Sequence, residues 1–207
     1  MAVSVLPWLL GLFVLGAGGP ALAAPADPSA PTSELASLAG RAAALPQNAD
    51  AQFELLVAAL ATPFPERAWP IYRRLLELDP HYPRRAVEHY GQLVRETPHE
   101  RAAWLRLALA NDLAGRPREA KRQLAYLIKY FPPDADTLAY AGWVAFELKQ
   151  SAGAMALWRR ALALQPDHVA AQWLLGQAYL RQGQQARAAQ VLGSVEAART
   201  QQATLGL

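Results

Sequence analysis

Residues 138–166 read LAYAGWVAFELKQSAGAMALWRRALALQP, and the proline that closes this stretch belongs to a regular series along the chain. Pro98, Pro132 and Pro166 are evenly spaced. A fixed period of about 34 residues, as in this series, is typical of stacked helix–turn–helix units. Alanine and leucine are abundant and runs typical of strands are scarce. The sequence therefore predicts an all-α fold built from repeated helical hairpins.

The same period aligns small and large apolar residues in three consecutive units, which start at Arg101, Ala135 and Val169. Positions 7, 8, 20 and 24 hold Leu107, Ala108, Ala120 and Leu124, then Ala141, Gly142, Ala154 and Trp158, then Leu175, Gly176, Ala188 and Leu192. Small residues at positions 8 and 20 let two helix backbones approach, and larger neighbours fill the space beside them. Gly115 and Gly183, at position 15, predict left-handed helix ends.

One step of the repeat is irregular. Pro46 and Pro80 keep the full period, but Pro98 follows Pro80 after only about half of it. The segment 66–78 must then be the second helix of a unit that starts at Ala49 and also the first helix of the unit that ends at Pro98. We therefore predict an irregular junction with a changed superhelical angle.

The N-terminal segment differs from the repeats. Residues 3–15 are apolar and uncharged, residues 16–20 contain three glycines and a proline, and residues 21–23 form a small-x-small site. This pattern predicts a secretory signal cleaved after residue 23, although no basic residue precedes Arg41. An uncleaved membrane anchor and a buried N-terminal helix are the alternatives. Residues 24–33 contain three prolines and are predicted to be a disordered linker.

Composition excludes several functions. The chain has no cysteine, which excludes disulfides and thiolate chemistry. The net charge of +3 is small, and no basic run is interleaved with aromatic residues, so we expect no nucleic-acid partner. His81, His89, His99 and His168 lack metal-site spacing and are expected to be solvated. No nucleophile–base pair or phosphate-binding glycine motif is present, so we expect no enzymatic activity, metal or cofactor.

The stretch 138–166 and the stretch WLLGQAYLRQGQQARAAQVL at 173–192 resemble the tetratricopeptide repeat family. The resemblance extends from Ala49 to about Arg199 and implies a right-handed superhelix, or α-solenoid, of about nine or ten helices. The expected divisions are a signal peptide at 1–23, the linker at 24–33, a capping helix at 34–48, degenerate repeats at 49–100, repeats at 101–134, 135–168 and 169–202, and a tail at 203–207.

In this family the first helices line a concave groove through positions 2, 5, 9, 12 and 13. The resemblance places Leu105, Leu109, Asp112, Asp136, Trp143, Phe146, Trp173, Gln177 and Arg181 in that groove. We expect a partner protein or peptide to bind there, with Trp143 and Trp173 as anchors. The alternative is that both indoles pack against a neighbouring unit or under a terminal helix. The Lys and Asn with which some members bind a C-terminal carboxylate at positions 5 and 9 are absent.

The expected function is a non-enzymatic scaffold or adaptor in a bacterial envelope assembly, in the periplasm or exported. If the N-terminal segment is not cleaved, we expect the protein instead to be anchored in the inner membrane and to face the periplasm. Membrane contact is expected only in that case. A periplasmic holdase-like chaperone is the alternative function, and self-association is open. The sequence does not select the partner or the pathway.

Overall fold

A computed structural model describes residues 30–60 and 68–193 of the chain, and within these residues every regular element is a helix. The helices are α1 (Ala30–Ala44), α2 (Ala49–Leu60), α3 (Ala68–Leu78), α4 (Tyr82–Glu96), α5 (Arg101–Leu113), α6 (Pro117–Tyr130), α7 (Ala135–Glu147), α8 (Ser151–Leu164) and α9 (Val169–Arg181). Residues 185–193 are also helical. The predicted all-α class and helical-hairpin repeats are confirmed.

The chain divides between Tyr82 and Pro83 into two compact units. In the N-terminal unit α1 packs on α2, and α2 packs on α3. The ring of Phe53 on α2 lies 5.3 Å from the ring of Tyr82, and the Tyr82 hydroxyl donates a hydrogen bond of 2.8 Å to Asp50. Both aromatic rings are buried. The first residue of α4 therefore closes the core of this unit.

In the second unit the helices pack as successive hairpins. α5 packs on α6 and α7 packs on α8, while α6 also contacts α7, and α9 contacts both α8 and α7. The first helices α5, α7 and α9 begin at Arg101, Ala135 and Val169, which are the predicted starts of the three units. Small residues at the hairpin contacts, among them Ala108 and Ala120, are fully buried. The sequence period is thus the period of the packed structure.

Each first helix ends in the same way. Gly115 and Gly183 both have φ +71°, which confirms the predicted left-handed helix ends, and Lys149 has φ 62° at the same position of the middle repeat. The next amide N–H then donates back across the turn, as Arg116 does to the carbonyl of Asn111 at 2.8 Å. This bond satisfies a carbonyl that the helix end would leave unpaired.

The start of α7 is joined to the start of α5. The carboxylate of Asp134 caps α7 by accepting the backbone N–H of Thr137 at 2.9 Å, and it also binds the guanidinium of Arg101. Arg101 is the first residue of α5. One side chain therefore caps one helix and binds it to the preceding repeat.

The start of α9 is joined to α7 by a histidine. Nδ1 of His168 accepts the backbone N–H of Ala171 at 3.1 Å and caps α9, while Nε2 lies 3.0 Å from Oδ1 of Asp136 on α7. His168 is buried. The expectation that this histidine is solvated is therefore wrong, because its ring replaces the usual Asp or Ser cap.

Some predictions fall outside the described residues. The signal at 1–23, the tail at 203–207 and residues 24–29 of the predicted linker lie there. α1 begins at Ala30, so residues 30–33 are helical, and both the linker boundary at 33 and the start of the capping helix at 34 are corrected. In residues 30–60 and 68–193, no helix has both the length and the apolar character needed to cross a membrane. The changed superhelical angle stays a prediction.

Candidate functional site

The candidate groove residues lie on the three first helices α5, α7 and α9. Two contacts bring the C-terminal halves of these helices together. The hydroxyl of Tyr140 on α7 donates a hydrogen bond of 2.9 Å to Asp112 on α5, and the guanidinium carbon of Arg181 on α9 lies 5.0 Å from the ring centroid of Phe146 on α7. The residues come from three consecutive repeats, and these two contacts join α5 to α7 and α7 to α9, so that the three first helices share one face.

Three of the predicted groove residues lie beneath this face. Leu109, Asp112 and Trp143 are only 3%, 2% and 7% exposed. The ring of Trp143 lies 6.3 Å from the ring of Phe146, which in turn lies 5.8 Å from the buried ring of Trp158 on α8. The expectation that Leu109 and Trp143 belong to an open apolar stripe is corrected, because neighbouring helices cover them.

Other predicted groove residues remain accessible. Leu105, Phe146, Trp173 and Gln177 are half-buried, whereas Asp136 and Arg181 are exposed, Asp136 beside His168. Leu180, one helical turn after Gln177, adds an exposed apolar side chain. The accessible apolar surface therefore consists of Leu105 on α5, Phe146 on α7, and Trp173 with Leu180 on α9.

A pair of carboxyl groups lies at the junction of α5 and α7. Burial raises the pKa of Asp112 from 3.8 to about 6, against the opposing effect of hydrogen bonds from Tyr140 and Glu147. Burial, and then the charge of Asp112, raises the pKa of Glu147 from 4.5 to about 8. Burial and the charge of Asp112 also raise the pKa of Tyr140. The pair can therefore hold a proton at neutral pH.

Sequence reasoning did not identify this pair. Asp112 and Glu147 occupy positions 12 and 13 of two consecutive units, and neither position by itself indicates a contact between them, while Tyr140 does not occupy a groove position. One sequence signal indicates the pair, because positions 12 and 13, which are adjacent in the repeat, carry carboxylates in two consecutive repeats. The role of His168 as a helix cap was also missed, although it directly precedes the first residue of α9.

In the part of the chain that the structure describes, no group of three or more His, Asp or Glu residues is placed to hold a metal ion. The chemistry that this face offers is apolar contact, a few exposed charges at its edge, and two carboxyl groups with raised pKa values beneath it.

Comparison with known proteins gives the following matches. Residues 142–183 match the family model described as "TPR repeat", residues 81–117 match one described as "Tetratricopeptide repeat", and residues 102–133 and 170–197 match another with the same description. No curated protein matches this sequence.

Two solved structures illustrate the structural similarity. The first, titled "Crystal structure of MamA", is 17% identical with a TM-score of 0.47, over 82% of this chain and 89% of that one. The second, "MamA 41-end from Desulfovibrio magneticus RS-1", is 17% identical with a TM-score of 0.48, over 84% of this chain and 88% of that one.

Proposed function

We propose that this chain, which is a tetratricopeptide repeat protein, is a non-enzymatic scaffold that binds a segment of a partner protein on the face formed by α5, α7 and α9. The observation that carries the proposal is the accessible apolar surface on three consecutive first helices. Leu105, Phe146 and Trp173 are half-buried there, and Leu180 is exposed. Contiguous apolar surface that is rimmed by polar residues marks binding sites.

The composition of the face favours a peptide-like partner. A tryptophan buries an area on the order of 200 Å² when it is fully covered, so the uncovered part of Trp173 supplies a binding anchor. Gln177, Asp136 and Arg181 are polar groups at the edge that can orient a bound chain by hydrogen bonds. Trp143 contributes from below by packing against Phe146. The original expectation of two indole anchors is thus reduced to one.

The proposed location is the periplasm or the cell exterior, after cleavage of residues 1–23, and the proposed role is in a bacterial envelope assembly. The support is the apolar segment at 3–15 followed by the small-x-small site at 21–23. Sequencing the N-terminus of the purified protein tests this. A mature chain that begins at Ala24 supports export, and an intact segment in the membrane fraction supports the anchored alternative.

A site-specific photocrosslinking experiment tests the binding face. A photoreactive residue replaces Gln177 in one variant and Arg160 in another, because Gln177 lies one helical turn from Trp173 on α9 and Arg160 is exposed on the second helix α8 of the preceding unit. We expect one or two stoichiometric partners to crosslink at position 177 and not at position 160. Equal labelling at both positions contradicts the proposed face. Crosslinking to a broad set of unfolded proteins would instead support the holdase-like chaperone.

A further inference from the structure

The cluster of Asp112, Tyr140 and Glu147 joins two consecutive repeats through side chains that the proposed partner contact does not need. Asp112 lies near the C-terminal end of α5 and accepts the hydroxyl of Tyr140 on α7 at 2.9 Å. Glu147 is the last residue of α7. Its Oε2 atom is buried and has no hydrogen-bond partner among the residues that the structure describes. The carboxyl groups of Asp112 and Glu147 interact with each other across the junction between the two helices.

This arrangement requires a proton. Two ionised carboxylates are both acceptors and cannot hydrogen-bond to each other, whereas a protonated carboxyl donates one bond. Two negative charges in a buried site also repel each other strongly. Tyr140 supplies one donor to Asp112 and none to the buried Oε2 atom of Glu147. The folded cluster is therefore complete only while one carboxyl carries a proton.

The charged groups around the cluster do not lower the pKa of Glu147 enough to remove the proton. Lys149 lowers the pKa of Glu147, but its effect is smaller than those of burial and of Asp112, which raise it. On α5, Arg101 binds Asp134 and Arg106 is half-buried, while on α9 Arg181 lies over Phe146. On the packed second helices, Glu119 is half-buried and binds Arg122. The other charged residues of these helices are exposed: Arg118, Lys121, Arg122 and Lys129 on α6, and Arg159 and Arg160 on α8.

We propose that the proton shared by Asp112 and Glu147 is a pH-sensitive latch between consecutive repeats, which holds the C-terminal ends of α5 and α7 together and releases them when it is lost. When the proton is lost, both carboxyl groups are negatively charged, and the Tyr140 hydroxyl is the neutral donor at this junction. The two helix ends then separate so that water can reach the carboxylates. Because Asp112 lies beneath the face to which Phe146 on α7 belongs, separation also changes the surface offered to a partner.

The sign of the pH effect follows from proton linkage. The pKa of Glu147 rises from 4.5 to about 8 on folding, so the folded state binds more protons than the unfolded state between these values. Stability from this group is therefore fully present at low pH and falls as the pH rises through that window. For one proton, the equilibrium constant for unfolding increases by up to about tenfold for each pH unit.

Equilibrium unfolding by denaturant from pH 5 to pH 9 tests the latch. Glu147→Gln keeps the shape of the side chain and supplies a donor without a titrating proton, and Asp167→Asn at an exposed loop position is the matched control. We expect the wild type and Asp167→Asn to lose stability as the pH rises, and Glu147→Gln to lose much less. Parallel pH curves for the wild type and Glu147→Gln overturn the proposal, because a merely structural role would shift stability equally at every pH.

Two further measurements keep the proposal testable if Glu147→Gln folds poorly. The chain has no native cysteine, so spin labels at Arg116→Cys and Gln150→Cys report the separation of the ends of α5 and α7. We expect a longer distance at pH 9 than at pH 6. Infrared spectra of the wild type should show the carbonyl band of a protonated carboxyl at pH 7 and lose it above pH 9. An unchanged distance, or no protonated carboxyl at pH 7, overturns the latch.

Discussion

Gly142 on α7 lies directly against the indole of Trp158 on α8, so that a Cβ atom at position 142 would lie 2.5 Å from the Nε1 atom of Trp158. That Nε1 atom donates a hydrogen bond of 3.1 Å to the carbonyl of Ala139, and the indole is 1% exposed. The ring can neither rotate away nor give up its bond without cost. This contact therefore fixes how closely the two helices of the middle repeat approach.

The first prediction is that Gly142→Ala destabilises the protein. Overpacking a filled core costs about 1–3 kcal/mol, which outweighs the gain of about 1 kcal/mol that alanine brings to a helix interior. Gly153→Ala is the matched control, because a Cβ there meets nothing within 4 Å, and it should raise stability. Denaturant unfolding measures both. A stabilised Gly142→Ala would show that the indole moves freely.

The second prediction concerns the left-handed helix end at Lys149, which has φ 62° where the other two repeats have glycine. A non-glycine residue in this conformation costs on the order of 1–2 kcal/mol. Lys149→Gly should therefore raise the free energy of unfolding by about 1 kcal/mol, and Gly115→Ala should lower it by a similar amount. Measuring at pH 6, below the pKa of about 8 of Glu147, keeps a proton on the carboxyl pair in both variants. A destabilised Lys149→Gly or a stabilised Gly115→Ala would refute the account of the turns.

The third prediction separates the two tryptophans of the candidate face. Trp143 is 7% exposed, so Trp143→Ala should cost about 3–5 kcal/mol of stability. Trp173 is half-buried, so Trp173→Ala should cost much less while sharply reducing partner crosslinking at a neighbouring face position. Thermal melting and the crosslinking assay measure the two effects. If Trp173→Ala does not fold, Trp173 is a core residue and does not belong to the binding face.

The fourth prediction tests His168 as a helix cap. His168→Ala removes the acceptor for the backbone N–H of Ala171 and should cost about 1 kcal/mol. His168→Asn should recover most of that loss, because asparagine is among the best capping residues. His99→Ala, at an exposed turn, is the control and should have almost no effect. If asparagine fails to rescue, the contact between His168 and Asp136 is the more important one.

Much of the fold was predictable because its signals are local. Proline and glycine limit the backbone dihedral angles of a few residues, so their spacing predicted where the hairpins of the C-terminal unit turn. Helical periodicity placed Ala108 and Gly142 on contact faces, and both are buried. The resemblance to the tetratricopeptide repeat family, and not periodicity, implied that the candidate groove residues lie on first helices, and these residues lie on α5, α7 and α9.

Local signals could not decide how deeply the groove residues lie. The position of a residue in its repeat shows which face of the helix it shares, but not whether another helix covers that face. Trp143 and Trp173 occupy groove positions of neighbouring repeats, yet one is buried and the other half-buried. The difference depends on the packing of α7 against its neighbours, to which residues from several repeats contribute.

The sequence by itself determined that this protein is a regularly spaced series of helical hairpins, because backbone limits and helix periodicity act over a few residues. Only the tertiary structure decided that Asp112 meets Glu147 and Tyr140, and that His168 both caps α9 and contacts Asp136. These contacts join residues about one repeat apart. Their distances depend on the angle and separation between packed helices, and no short stretch of sequence fixes either quantity.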